Sequence, residues 1–184
     1  MSAALNVSAN PIDKLPSPVR PVSKSIDIPP IQATQFVWQD PATIPPRPWL
    51  YGKHYMRGMV SATAGIGGAG KSTMLLTEAV SCAIGRNLLT GESLNVGRLN
   101  TWVHNGEDPP DELQRRVTAI ILHHKVDPEE LEGRLYVTSG RTMPILVAEA
   151  LSDGGKVFVP REDGKQLLEE IKSKAIDVFI ADPF

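Results

Sequence analysis

Residues 65–72 have the composition and spacing of a loop that binds phosphate. They read GIGGAGKS and match the pattern GxxxxGK[ST] at every required position. Glycines let the backbone wrap tightly, so that successive N–H groups point at phosphate oxygens. In such a loop Lys71 reaches the β- and γ-phosphates, and the Ser72 hydroxyl coordinates Mg²⁺. The motif therefore predicts that the chain binds a nucleoside triphosphate with magnesium, and ATP is the expected nucleotide.

The expected phosphate contacts come from this loop and from the first turn of the helix after it. The positive end of the helix dipole faces the same anion. An ordinary helical role is the alternative for Thr73, and a flexible glycine turn is the alternative for the whole loop. The predicted binding residues are Gly65, Gly67, Gly68, Ala69, Gly70, Lys71, Ser72 and Thr73.

A second anchor for the magnesium ion is expected from an acid at the end of a buried strand. Asp182 directly follows the apolar residues 178–181, whereas Asp177 begins the same strand, away from the carboxyl edge where ligands bind. We therefore predict that Asp182 is a metal ligand. A plain turn residue before Pro183 is the alternative reading of Asp182.

Hydrolysis of a triphosphate also needs a group that orients or deprotonates the attacking water. Glu107 lies just beyond a predicted strand, at the edge where the phosphate loop opens, and its neighbour Asp108 precedes Pro109 in the pattern of a helix N-cap. We predict Glu107 as the catalytic base and Asp108 as the cap, with two solvated carboxylates as the alternative. Arg115 and Arg116 are candidates for pairing with either acid, or for surface exposure.

Other side chains of reactive type are expected to have structural roles. Cys82 lies among apolar neighbours, which favours a buried thiol of the kind found in cores. The pair His123-His124 lacks further ligands at metal spacing and is interpreted as a helix end. For Tyr51 and His54, packing is favoured over contact with the nucleotide base.

Alternating strand and helix patterns have to position these residues. The stretch Lys71–Ile84 is apolar nearly all round, which predicts a helix buried under a sheet. Alternation of strands with helices predicts an α/β fold with a parallel sheet flanked by helices. The predicted strands are residues 58–64, 99–104, 135–139 and 176–181.

Turn and capping signals predict the remaining elements. Apolar residues at helical spacing follow Pro109, and residues 127–130 (DPEE) repeat the signal of a helix start. A further helix is predicted over residues 164–174. A hairpin of residues 144–147 and 156–159 is predicted around residues 153–155.

The N-terminal part of the chain has a different texture. Ten of the 16 prolines precede Trp49, and they deprive the backbone of donors and fix φ. We predict a disordered, Pro-rich leader over residues 1–46 and one domain over residues 47–184.

Bulk composition narrows the class of protein. Hydrophobic residues make up 41% and charged residues 22% of the 184-residue chain, which is an ordinary globular balance. The net charge of -2 argues against a basic arm for nucleic acid. A single cysteine excludes an internal disulfide, and no apolar run is long enough for a membrane span or a secretory signal. We expect a cytoplasmic protein without contact to a membrane.

Taken in order along the chain, these motifs resemble bacterial, phage and plasmid ATPases of the RecA-like class. The nearest type is the RepA-like group of hexameric replicative helicases, and the resemblance covers roughly residues 47–184. The segments that carry it are YGKHY at residues 51–55 with Arg57-Gly58, WVHNGEDP at residues 102–109, Glu112-Leu113, Arg115-Arg116, SGR at residues 139–141 and DVFIADPF at residues 177–184.

The resemblance implies a RecA-like core that binds ATP and Mg²⁺ between the subunits of a ring. It also implies that Glu107 is the catalytic glutamate, that Asp182 is the Walker B aspartate, and that the protein acts on DNA in plasmid or phage replication. Single-stranded DNA and further copies of the chain are therefore expected partners.

The C-terminus departs from this family. Family members continue through further core strands, which carry the residue that senses the γ-phosphate and the arginine finger. We therefore expect a fragment or a shortened reading frame, with the Walker B strand at an open edge and hydrolysis weak or absent. A regulatory nucleotide-binding module is one alternative, and a small-molecule kinase with Arg141 and Arg161 in a lid is another.

Overall fold

The computed structural model describes residues 31–150 and 158–182 of the chain. The chain divides into two units, Met1–Ile44 and Pro45–Phe184. In the first unit, residues 31–44 are exposed and contain one 3-10 turn, Pro41–Thr43. The Asp40 carboxylate caps this turn by accepting from the N–H group of Ala42. The predicted limits of leader and domain, residues 1–46 and 47–184, stay a prediction.

The second unit alternates strands and helices along the chain. The helices are α1 (Lys71–Ile84), α2 (Pro110–His124) and α3 (Glu162–Ser173), with a 3-10 turn at Pro128–Leu131. The strands are β1 (Trp49–Tyr51), β2 (Tyr55–Met56), β3 (Thr101–Asn105), β4 (Leu135–Ser139), β5 (Ala148–Ala150), β6 (Phe158–Pro160) and β7 (Val178–Asp182).

A parallel sheet of three strands, in the order β4-β3-β7, forms the centre of this unit. Asn105 at the end of β3 lies opposite Ser139 at the end of β4 and Asp182 at the end of β7. The predicted α/β fold with a parallel sheet flanked by helices is confirmed. Because all three strands point the same way, their last residues meet at one edge.

Helix α1 packs against this sheet and forms much of the core. Its residues from Leu75 to Ile84 are all buried, and it contacts β3, β7 and α2. The predicted bounds of this helix are confirmed. It ends at Gly85, which has a φ of 74° in the left-handed region that disfavours side chains. A Cβ at this position would also lie only 3.0 Å from the backbone N atom of Arg98, so a glycine is required.

The strand predicted over residues 58–64 does not form. The structure has no regular secondary structure from Met59 to Ile66, and Val60 is fully exposed. A cleft of about 460 Å³ lies between residues 57–62 and β7, lined by Ile180 and Ala181 among others. Without a neighbouring strand the backbone of this segment has no ladder to join, so an apolar sequence alone is insufficient.

The strand predicted over residues 135–139 forms as β4 with the predicted bounds. The remaining predicted elements form with shifted bounds. The second strand begins at Thr101 rather than Leu99, and α3 begins at Glu162, two residues earlier than predicted. The hairpin forms from β5 and β6, paired antiparallel, instead of from residues 144–147 and 156–159. Its predicted turn at residues 153–155 lies outside the described residues.

Candidate nucleotide-binding site

The glycine loop wraps tightly just before α1. Gly68 and Gly70 have φ of 75° and 84°, in the left-handed region that side chains disfavour, and a Cβ at either position would meet no atom within 4 Å. The space around the loop is therefore open, and the glycines are required by the backbone path.

The ammonium group of Lys71 lies over this loop. Its Nζ atom donates hydrogen bonds to the carbonyl oxygens of Gly65 at 2.8 Å and Ile66 at 2.9 Å. These are exposed contacts of a charged donor with neutral acceptors. Because a phosphate oxygen is a stronger acceptor, a bound phosphate would replace them at little cost.

The N-terminal end of α1 is open to an anion. No side chain caps it, its first turn contains no acidic residue, and the N-cap is Gly70. The first N–H groups of a helix need partners, and they carry the positive end of the helix dipole. Together with Lys71, they form a donor set that fits the phosphates of a nucleotide.

Three buried polar residues form a row at the carboxyl edge of the sheet. Ser139, Asn105 and Asp182 end their strands side by side and are 3%, 2% and 8% exposed. The Asn105 Nδ2 atom donates to Asp182 Oδ2 at 3.1 Å, and the backbone N–H of Gly106 donates to the Asp182 carbonyl oxygen at 2.8 Å. Asp182 is thus held by the strand beside it.

The segment that contains Glu107 leaves this edge in a fixed turn. The Asn105 Oδ1 atom accepts from the N–H groups of Glu107 at 3.0 Å and Asp108 at 2.7 Å. From the other side, the Ser139 hydroxyl donates to the Asp108 carbonyl at 2.6 Å, and Arg141 Nε donates to the Glu107 carbonyl. The backbone of Glu107 is therefore held from two strands while its side chain is exposed.

The comparison with known families decides the class of this chain. A model of the family described as AAA domain matches residues 27–184. The chain belongs to the AAA domain family. Its members are P-loop ATPases, so the family implies nucleotide binding, typically with Mg²⁺. Comparisons with curated proteins and with solved structures found no match.

Asp108 of this AAA domain does not have its predicted role as a helix cap. Helix α2 begins at Pro110, with Pro109 as its N-cap, and no side chain caps it. The Asp108 carboxylate instead contacts Arg116 at 3.0 Å. The turn made by Asn105 and the extended backbone of Pro109 delay the helix by one residue, so that Asp108 points along α2.

The two arginines of α2 have different surroundings. Arg116 pairs with Asp108 and Glu112, as one of the predicted alternatives has it, and its side chain is 33% exposed. Arg115 pairs with Asp111 and Glu112 on the exposed face of the helix. The hydrogen bond from Arg115 lowers the pKa of Asp111, and that from Arg116 lowers the pKa of Glu112.

The remaining predicted residues of the AAA domain lie away from this edge. Asp177 precedes β7 at the opposite end of the sheet and contacts Arg57 at 2.9 Å. Tyr51 and Cys82 are buried in the core, and burial raises the pKa of the Cys82 thiol to about 12. His124 ends α2, as predicted.

Among the described residues no three His, Cys, Asp or Glu side chains form a metal cluster, and no described helix is long and apolar enough to cross a membrane.

A polar network supports the same edge of the AAA domain from the face of the sheet. The Thr138 hydroxyl accepts from Trp102 Nε1 at 2.8 Å and lies 3.1 Å from His104 Nδ1. Burial lowers the pKa of His104, which favours the neutral imidazole one residue before Asn105. Side chains of β3 and β4 are thereby linked close to the turn that carries Glu107.

Sequence reasoning assigned no role to Asn105 or Ser139. Both belong to quoted motifs, but each also reads as an ordinary strand end. The available signal is positional, because a polar residue at the last position of an otherwise apolar strand has to find partners at the sheet edge. An Asn two residues before Glu107 also matches the spacing of an Asx turn.

Proposed function

We propose that this chain binds ATP with Mg²⁺ and hydrolyses it as the motor core of a RecA-like, helicase-type ATPase of plasmid or phage replication. The observation that carries the proposal is that one residue, Asn105, holds both Asp182 and the backbone of Glu107 at the carboxyl edge of the sheet. Asn105 joins Asp182 and the backbone of Glu107, and α1, with its uncapped N-terminus, packs against β7. A P-loop ATPase needs this combination of an anion site with two acids.

The residues have separate roles in this proposal. The loop N–H groups and Lys71 bind the phosphates, while the Ser72 hydroxyl and the Asp182 carboxylate are the oxygen donors for Mg²⁺. The ion, when bound, neutralises charge on the phosphates. Glu107 is exposed beyond β3 and accepts a proton from the attacking water.

The link to DNA and to a ring rests on the resemblance to RepA-like helicases. Within the described residues, β7 has a strand on one side only, and residues 57–62 line the cleft on its other side. A site of this type is completed by a neighbouring subunit, so we expect turnover to depend on protein concentration and on single-stranded DNA.

Measuring ATP turnover, with and without single-stranded DNA, tests the proposal. Replacing Lys71 by Ala removes the ammonium that contacts the phosphates, and we expect ATP affinity to fall by about 10- to 100-fold, since hydrogen bonds to charged groups contribute about 1.5–3 kcal/mol. Lys172→Ala is the control, because it removes the same charge from the exposed last turn of α3.

Equal ATP affinity and turnover in Lys71→Ala and Lys172→Ala would contradict the assignment of the loop. If Lys71→Ala lowers ATP affinity as expected but single-stranded DNA does not change turnover, the assignment as an ATPase stands and the assignment to the helicase type is contradicted.

A nucleotide-binding module with little hydrolysis is the second candidate. It is favoured by the Glu107 carboxylate, which has no hydrogen bond or ion pair to any described residue and is therefore not oriented. In that case ATP raises the melting temperature, and Glu107→Gln leaves turnover unchanged. A clear loss of turnover in Glu107→Gln would exclude this candidate and support catalysis.

A further inference from the structure

We propose that Asn105 is the positioning residue of the ATP site. Its one amide group orients the Asp182 carboxylate toward Mg²⁺ and also fixes the turn that carries Glu107. The proposal deepens the proposed function and rests on it. Of the described side chains, that of Asn105 alone forms hydrogen bonds with both the Asp182 side chain and the backbone of Glu107.

The hydrogen bonds of Asn105 determine which way its amide faces. The oxygen accepts two backbone N–H groups, from Glu107 and Asp108, and the nitrogen donates to a carboxylate oxygen of Asp182. If the amide were flipped, its NH₂ group would face the backbone N–H groups of Glu107 and Asp108, and its oxygen would face the Asp182 carboxylate. Because the side chain is 2% exposed, no water can relieve such a clash, so one orientation is allowed.

This orientation divides the two oxygens of Asp182 between two tasks. Oδ2 is occupied by Asn105, and Oδ1 has no hydrogen bond to any described residue. A neutral donor on one oxygen fixes the plane of the carboxylate and leaves its charge intact. Groups that orient a metal ligand in this way affect metal affinity strongly even though they do not touch the metal.

The same side chain defines the path of the chain toward Glu107. An Asn that accepts from N–H groups two and three residues ahead forms a compact turn, here across residues 105–108. Asp182 and the backbone of Glu107 are therefore held by the same side chain, and the distance between them depends on the position of Asn105. Ser139 and Arg141 hold the same turn, but neither contacts the Asp182 side chain.

The variant that separates these two contacts is Asn105→Ser. A serine hydroxyl can still accept from the N–H groups of the turn, although more weakly, but it is too short to reach Asp182. The affinity of a fluorescent ATP analogue is measured with EDTA and with Mg²⁺, and the ratio of the two is the magnesium gain. Measuring the wild type, Asn105→Ser, Asp182→Ala and the double variant completes a double-mutant cycle.

A matched control is Asn100→Ser, at the opposite end of the sheet. Asn100 also bridges elements, since its Nδ2 donates to the carbonyls of Lys174 and Ala175 and its Oδ1 accepts from Arg134. Its loss should lower the melting temperature in the same way as that of Asn105. It should leave the magnesium gain unchanged, because Asn100 lies at the amino end of β3.

We expect Asn105→Ser to reduce the magnesium gain by about tenfold in the wild-type background and by less than about twofold in the Asp182→Ala background. Affinity in EDTA should change by less than about twofold, since the glycine loop and Lys71 are intact.

An unchanged magnesium gain in Asn105→Ser overturns the inference while the proposed function stands. So does an equal reduction in both backgrounds, because Asn105 then acts independently of Asp182. A reduction that Asn100→Ser reproduces also overturns it, because Asn105 then acts through stability alone. Absence of ATP binding in the wild-type chain is a distinct result, which overturns the proposed function and this inference together.

Discussion

Gly140 lies in close contact with the neighbouring backbone at the carboxyl edge of the sheet. A Cβ built there would lie 2.9 Å from the Gly106 Cα and 3.4 Å from His104 Nε2. Its N–H group also donates to the Asn105 carbonyl at 2.7 Å, which ties the end of β4 to the end of β3. The turn that carries Glu107 can pass this close to β4 only because Gly140 has no side chain.

Gly140→Ala is expected to lower the free energy of unfolding by about 1–3 kcal/mol, because an inserted methyl group must displace backbone instead of a flexible side chain. Urea denaturation measures the change. The control is Gly164→Ala in α3, where a Cβ would make ordinary contact with Val147 at 3.8 Å or more. That control should gain about 0.5–1 kcal/mol, since alanine is the better helix former. Opposite signs support the argument, and equal losses contradict it.

A buried carboxylate of α1, that of Glu78, contacts two side chains of the β1–β2 hairpin. The Tyr55 hydroxyl donates to Glu78 Oε2 at 2.7 Å, and His54 Nε2 lies 3.1 Å from Glu78 Oε1. The Glu78 side chain is 5% exposed. Burial raises the pKa of Tyr55, with the hydrogen bond to Glu78 adding to the effect, so the phenol remains a donor throughout the physiological range. This contact anchors the hairpin to the helix that begins at the phosphate loop.

Removing that donor with Tyr55→Phe is expected to cost about 1.5–3 kcal/mol of unfolding free energy, because a buried carboxylate loses a partner. Chemical denaturation monitored by circular dichroism measures it. Tyr136→Phe is the matched control, since its hydroxyl donates to the Gly133 carbonyl at 3.1 Å on the surface. The control should cost less than about 1 kcal/mol, and a similar loss in both variants would mean that Glu78 is not dependent on Tyr55.

At the scale of elements, local patterns predicted the helices better than the strands. The apolar stretch of α1 is a property of residues close in sequence, so its bounds were predictable. Residues 58–64 are equally apolar, but a strand needs a partner, and this segment faces a cleft. The displaced hairpin of β5 and β6 has the same cause, because register depends on pairing rather than on composition.

At the scale of the whole molecule, the described core belongs to the second unit. Among the residues whose burial is described, every buried one lies at or beyond Leu50, whereas residues 31–48 are all exposed. Large apolar side chains such as Phe36 and Trp38 remain 83% and 71% exposed. Stability of the second unit should therefore not depend on the described part of the first.

A shortened chain of residues 47–184 is expected to unfold at the same temperature as the full chain, within about 2 °C, because a loss of even 1 kcal/mol would shift the midpoint by more than that. Differential scanning calorimetry measures it, with residues 27–184 as the comparison because the family match begins there. A lower midpoint for residues 47–184 alone would show that residues 27–46 stabilise the domain and that the predicted boundary is wrong.

The sequence by itself determined the α/β fold, and it predicted a phosphate loop and two acids in the order that a P-loop ATPase requires. These features are local, because the spacing of Gly65 to Ser72 and the apolar run of α1 are readable without any partner. Membership of the AAA domain family agrees with that reading.

Only the tertiary structure decided how the two acids are held. Glu107 and Asp182 are 75 positions apart, and the register of β3 with β7 brings Asn105 beside Asp182. The register of β3 with β4 places Ser139 against the same turn, where its hydroxyl donates to the Asp108 carbonyl. Contacts between distant residues depend on strand pairing, which no single segment encodes, and for that reason the role of Asn105 became visible only in the folded chain.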